Sequence, residues 1–257
     1  MSHLQFIGTS SALTSLKKFH SSFILSTKNF NLLVDTGDGS SRALLNQKIE
    51  FNSIDAILIT HLHADHYCGL PSLLTQMKLL KEPRKKKILI IAHESILDVI
   101  QKFIFNSMVF EEKMGFKIEY KNFSWEKIFS INKKIKFLSK KNSHLNSNLL
   151  LKNVRKKKLS SSSFLFFVEK AKIFYTSDVG SAEDLYLFKD EKLDLLISES
   201  SHINYDDICI AEQKLNVKKF LLTHFTDEVE NQIKKKISKN KNSKISLASD
   251  GQIINLS

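Results

Sequence analysis

The sequence predicts an α/β fold, and three observations carry that expectation. Short apolar runs of strand length alternate with helical stretches along most of the chain. No internal repeat at a solenoid period interrupts the alternation. The 257 residues suit one large α/β domain, long enough to bury a core without disulfides.

The elements follow in order. Residues 4–7, 22–26 and 30–35 read as three early strands, and 38–46 as a short helix with an acidic residue near its start. Residues 54–60 form a strand with a histidine cluster directly behind it. A helical segment at 70–80, a buried strand at 87–92 and a helix at 95–106 come next. In the middle third, 116–120, 135–139 and 148–152 are candidate strands, and 163–169 with 172–176 resemble a hairpin turning at Lys170 and Ala171. Strands at 193–198 and 220–223 flank a helix over 206–215. A Glu/Lys-rich helix at 227–239 and a last strand at 244–248 complete the set. One low-complexity stretch, 156–163, reads as a loop, and no linker divides the chain, so one domain over 1–257 is expected.

Charge and cysteine usage bound the function. The formal net charge is +12, from 39 basic and 27 acidic residues. An excess of that size favours a polyanionic partner, with basic segments at 85–87, 155–158 and 234–236; a general lysine-rich bias explains it equally well. Cys68 and Cys209 show no CxxC spacing, which argues against a disulfide framework and fits a reducing compartment. The N-terminus lacks a secretory pattern and no apolar run reaches the ~20 residues of a membrane span. A cytoplasmic protein without a membrane partner is expected.

The chemistry lies in Thr60-His61-Leu62-His63-Ala64-Asp65-His66. Imidazole and carboxylate suit zinc and neighbouring first-row metals. A strand end followed by a tight turn can point four such side chains into one small volume, and packing does not explain three histidines and an aspartate within six residues. Gly69 permits close backbone approach, and the helix behind it brings partial positive charge toward an anionic ligand. His144, Asp178 and His224 each sit just past an apolar run. Groups at the ends of neighbouring strands converge along one sheet edge.

His61-Leu62-His63-Ala64-Asp65-His66 matches the HxHxDH signature of the metallo-β-lactamase superfamily, and the longer string from His61 to Leu74 is similar to the ribonuclease Z version. Phe6-Ile7-Gly8-Thr9-Ser10-Ser11-Ala12, His20-Ser21-Ser22 and Asp35-Thr36-Gly37-Asp38-Gly39 resemble further pieces of that family's pattern, in order. The resemblance implies an αββα sandwich of two mixed β-sheets flanked by helices. It further implies two divalent metal ions, zinc above manganese or iron. His61, His63 and His144 would hold one, Asp65, His66 and His224 the other, with Asp178 bridging them. Ile197-Ser198-Glu199-Ser200-Ser201-His202 resembles the family's segment carrying a glutamate and a later histidine. By that resemblance His202 donates a proton to the leaving oxygen and Asp65 helps orient a metal-activated hydroxide; a carboxylate behind the ligands, such as Asp35 or Glu199, can fix imidazole orientation and tautomer. Asp65 and His202 are therefore the expected catalytic groups.

The resemblance implies hydrolysis of a phosphodiester, with RNA among the candidate substrates and a homodimer among the candidate assemblies. A small or cyclic-nucleotide diester is the alternative, and thioester and lactone hydrolases share the fold. Ribonuclease Z enzymes carry a glycine- and proline-rich arm that grips tRNA. Here the span from His144 to Asp178 is 34 positions long and has neither residue, so no long arm is visible. The family's "RY" after the last histidine is also missing, where Phe225 is followed by Thr226 and Asp227. His3 and His93 receive no role, and His20, beside the site in the family pattern, reads as a structural or supporting residue.

Overall fold

Residues 1–82, 84–145, 159–240 and 243–256 are described by the structure, a computed structural model of the chain. Two seven-stranded sheets face each other. The first has the order β14-β1-β2-β3-β4-β5-β6, from β1 (Ser2–Gly8), β2 (Ser22–Thr27), β3 (Phe30–Val34), β4 (Ala56–Ile59), β5 (Ile88–His93), β6 (Ile118–Phe123) and β14 (Ile253–Leu256). The second runs β13-β12-β11-β10-β9-β8-β7, from β7 (Ile128–Ser130), β8 (Ile135–Lys141), β9 (Ser162–Val168), β10 (Ala171–Tyr175), β11 (Leu193–Glu199), β12 (Val217–Thr223) and β13 (Ile245–Leu247). Both sheets are mixed: β3 to β6 and β10 to β13 pair in parallel, the rest antiparallel.

The helices cover the outer faces, as the αββα expectation requires. α1 (Ser40–Asn46), α3 (Leu70–Leu79) and α4 (Leu97–Asn106) close an apolar layer on the first sheet, through Leu44, Leu73, Leu74, Met77, Ile100 and Ile104. α5 (Tyr205–Lys214) and α6 (Asp227–Lys239) close one on the second, through Ile208, Ala211 and Ile233. Between the sheets lies an aromatic layer. Phe23 meets Tyr175 edge-on at 4.9 Å, and Phe137 packs against Phe123, Phe164 and Phe166 at 5.2–5.8 Å. Central strands buried on both faces need apolar side chains on both, which is why β4 reads Ala-Ile-Leu-Ile without alternation.

Several sequence expectations shift. The hairpin turns at Glu169 and Lys170, because Ala171 already pairs with Val168 and Glu169 adopts the left-handed conformation (φ 55°). The strand expected at 116–120 runs from Ile118 to Phe123, and β7 was not anticipated. The 244–248 strand is not the last: β14 follows and pairs with β1, closing the first sheet with the chain's C-terminal segment. The candidate strand at 148–152 and the basic segment at 155–158 lie outside the described residues. Among the described residues no helix is long and apolar enough to cross a membrane.

The topology gathers one set of loops. β8 and β10 are both antiparallel to β9 and therefore run the same way, as do β11 and β12. The segments after β8, β10 and β12 thus emerge at one edge. Backbone bridges from Ser10 to His20 and to Phe225 join the two sheets at this end.

Candidate metal centre

Every residue named as a ligand from the sequence follows a strand that ends at this edge. His61 and His63 follow β4, Asp65 and His66 lie in the short helix α2 (Ala64–Tyr67), and His144, Asp178 and His224 follow β8, β10 and β12. Their polar atoms form two groups: His61, His63, His144 and Asp178, and Asp65, His66, Asp178 and His224, the atoms of each lying within 4.8 Å of one another. Asp178 belongs to both, and it is 2 % exposed.

The backbone is tightened to bring them together. Asp35, Ser177 and His224 all take left-handed conformations, with φ of 62°, 54° and 54°. Such conformations are uncommon outside glycine and cluster where a site over-determines the chain. Gly37 and Gly69 close the first loop: a Cβ on Gly37 would meet the Asp65 carbonyl oxygen, and one on Gly69 the Gly37 carbonyl oxygen. The Thr36 N–H donates to the His66 carbonyl at 2.7 Å, and the Gly69 N–H donates back to Thr36 at 2.9 Å.

Orientation comes from Asp35, which is fully buried. His66 donates from Nδ1 to its Oδ2 at 2.8 Å, and the Thr60 hydroxyl donates to the same oxygen at 2.9 Å. That leaves the Thr60 oxygen to accept from His61 Nδ1 at 3.0 Å. Both imidazoles are thereby fixed with Nε2 turned inward, an arrangement that keeps those lone pairs free for a metal. Sequence reasoning missed the Thr60 relay, because a threonine at a strand end carries no signal of its own.

His61 Nε2, His66 Nε2 and Asp178 Oδ1 are buried without a hydrogen-bond partner among the described residues. Leaving three such atoms unsatisfied is costly unless something else meets them. Their neighbours stand at ligand-to-ligand spacing. Around Asp178 Oδ2, His61 Nε2 lies at 3.8 Å, His144 Nε2 at 3.6 Å and His224 Nε2 at 3.4 Å. His66 Nε2 lies 3.4 Å from both Asp178 Oδ1 and Asp65 Oδ2, and His224 Nε2 3.2 Å from Asp65 Oδ2. Four ligands at ~2.1 Å in a tetrahedron are about 3.4 Å apart, so nitrogen and oxygen donors at these separations fit divalent metal ions.

The electrostatics separate the histidines. Burial pushes the His61 and His63 imidazoles below the ordinary range and His144 down to about 4, favouring the neutral form that can ligate a metal. Burial alone would lower His66 too, but the Asp178 and Asp35 carboxylates outweigh it and hold the ring well above its ordinary value. Burial opposes charge on Asp178 and Asp65 as well. The histidines around them nevertheless keep both carboxyls well below the usual range.

His202 stands at the rim with its side chain 41 % exposed. Its Nδ1 lies 3.2 Å from Glu199 Oε1, and its ring 4.9 Å from that of His144 and 5.7 Å from that of His224. The Glu199 hydrogen bond outweighs burial and raises the His202 pKa. Glu199 also accepts from the His202 backbone N–H at 3.0 Å, so one carboxylate fixes both ring and chain. His20 and His93 lie outside both groups. His20 Nδ1 is 2.8 Å from the Ser11 carbonyl, and His93 stacks on Trp125 at 3.8 Å.

Among curated proteins the chain is similar to ribonuclease Z of Saccharolobus islandicus, 33% identical over 121 residues, which cover 47% of this chain and 40% of that protein. Ribonuclease Z of Methanopyrus kandleri is 35% identical over 83 residues, 32% of this chain and 30% of the relative. The matches thus span less than half the length of these relatives. Among solved structures, the metallo-β-lactamase fold protein YhfI from Bacillus subtilis superposes with a TM-score of 0.77 at 18% identity, covering 99% of this chain and 100% of YhfI. The short form of human tRNase Z superposes at 0.73 and 20% identity, covering 99% of each chain. These likenesses establish the metallo-β-lactamase fold. The family described as anti-Pycsar protein Apyc1 matches residues 2–254, nearly the whole chain, and the chain belongs to that family.

Proposed function

We propose that the chain is a metal-dependent phosphodiesterase with a dinuclear centre built by His61, His63, His144 and Asp178 on one side and Asp65, His66, His224 and Asp178 on the other. The observation that carries this reading is the set of inward-facing, unpartnered His61 Nε2, His66 Nε2 and Asp178 Oδ1 atoms at ligand spacing. A pair of divalent ions, zinc first among them, would neutralise the phosphodiester's charge and supply a nucleophile at neutral pH.

The protein's own groups do the rest. Asp65 stays anionic and, beside His224 and His66, can orient an attacking water by accepting its hydrogen bond. The hydrogen bond to Glu199 favours the protonated form of His202, whose ring opens to solvent, where a leaving oxygen can reach its Nε2–H. An acid so placed supplies ~10²–10⁴-fold in rate.

The position of the lysines favours a compact diester, such as a short or cyclic nucleotide. Residues 85–87 precede β5, at the end of the first sheet opposite His61, and Lys86 and Lys87 pair with Asp55 and Glu119. Lys234 and Lys236 on α6 pair with Glu230 and Asp206. Residues 85–87 thus lie away from the centre, and Lys234 and Lys236 are engaged by acidic neighbours. RNA is the second reading, supported by the ribonuclease Z similarity.

The test is turnover of bis(p-nitrophenyl) phosphate, a cyclic nucleotide, single-stranded RNA and a tRNA precursor by wild type and His202→Ala. The expected result is diester cleavage, with kcat about 10²-fold or more lower in the variant and its metal content unchanged. Preferred cleavage of the precursor would select the second reading. Hydrolysis of thioesters or lactones but no diester would refute both.

A further inference from the structure

Two irregular segments carry ligands of the His61, His63, His144 and Asp178 group: residues 142–144 behind β8 and 176–180 behind β10. Between them lies Asp184, 5 % exposed, within the 3-10 helix Ala182–Tyr186. Its Oδ2 accepts from the Ser143 hydroxyl at 2.7 Å and the Gly180 N–H at 2.9 Å, and both its oxygens lie 3.1 Å from the Ser143 N–H. The residue before His144 and the second residue after Asp178 are thus tied to one buried carboxylate. Three donors from the two loops converge on one side chain. The approach is close enough that a Cβ on Gly180 would meet the Ser143 carbonyl oxygen. From the other side Asn142 donates to the Asp178 carbonyl at 2.9 Å and the Thr176 carbonyl at 3.2 Å.

We infer that Asp184 is a positioning residue for one of the two metal positions, the one built by His61, His63, His144 and Asp178. The inference rests on the metal-centre reading above. Asp184 belongs to neither ligand group and acts through the backbone of the two loops. His144 serves only this position, whereas His66 is oriented by Asp35 and His224 is carried by β12, neither of which has a hydrogen bond to Asp184. Removing the carboxylate should therefore weaken the His144 position more than the other, which shares Asp178 but not His144.

The experiment is zinc titration of metal-free protein against a competing chelator, with thermal melts of the metal-free forms, on wild type, Asp184→Ala, Asp184→Asn and Ile208→Ala. Ile208 is fully buried in the same apolar layer as Leu185 of the 3-10 helix and serves as a packing control. Wild type should bind two zinc ions per chain. Asp184→Ala should lose at least 10-fold in affinity at one of them and clearly less at the other. Asp184→Asn, which retains one carbonyl acceptor, should lose less. Ile208→Ala should melt earlier yet keep both affinities. Wild-type affinity at both positions in Asp184→Ala, or an equal loss at both that tracks the melting temperature, overturns the inference. A wild type that binds no zinc, manganese or iron overturns the metal-centre reading itself, a result distinct from either.

Discussion

The Asp35 carboxylate accepts from His66 Nδ1, from the Thr60 hydroxyl and from the Thr60 N–H, while its own backbone stands at φ 62°. Through His66 it reaches one ligand group and, through Thr60 and His61, the other. Asp35→Ala should therefore weaken zinc binding at both positions, by about 10–100-fold each. Zinc titration of the metal-free variant checks this. Unchanged affinity would show that packing alone orients the rings. The candidate ligands are legible in the sequence through the HxHxDH string and the family resemblance, which point to His61, His63, Asp65, His66, His144, Asp178 and His224, and the fold brings these side chains into two groups. Thr60, Asn142 and Asp184 are not legible. Each is a short polar residue of a kind that fills ordinary turns, and only the folded register shows which backbone group it meets.

At the scale of elements, the loop at residues 35–39 is locked onto α2 by Gly37, whose missing side chain lets the Asp65 carbonyl approach. Gly37→Ala forces the two backbones apart and should cost about 1–3 kcal/mol in urea unfolding, with a loss of zinc affinity alongside. An unchanged unfolding midpoint would mean that the loop relaxes freely. The same scale explains what the sequence hides. Apolar runs on both faces of β4, β5 and β11 announce buried strands, whereas β7 is short and largely exposed and β14 alternates weakly. Both depend on pairing, with β8 and with β1, rather than on their own composition. The displaced hairpin turn has a similar cause. Glu169 takes the left-handed conformation that a sequence reader assigns to glycine or asparagine.

For the whole molecule, two sheets packed through an aromatic layer present several strand ends at one edge, and the centre links loops from both sheets. Ions held at the proposed centre would bind the folded state in preference to an unfolded chain. Zinc at 100-fold excess over its Kd should add about 2.7 kcal/mol per site, which for a chain of this size is a rise in Tm of roughly 5–10 °C. Calorimetry of metal-free protein with and without zinc checks this, and an unmoved Tm would count against a centre that bridges the sheets.

The most direct test of the central claim pairs metal analysis with hydrolysis of bis(p-nitrophenyl) phosphate by wild type and Asp178→Ala. Asp178 is the one side chain common to both ligand groups. The account predicts about two metal ions per wild-type chain with diester turnover, and loss of both metals and of turnover together in the variant. A variant that keeps full metal content and rate, or a wild type inert toward diesters when loaded with zinc, manganese or iron, would contradict it.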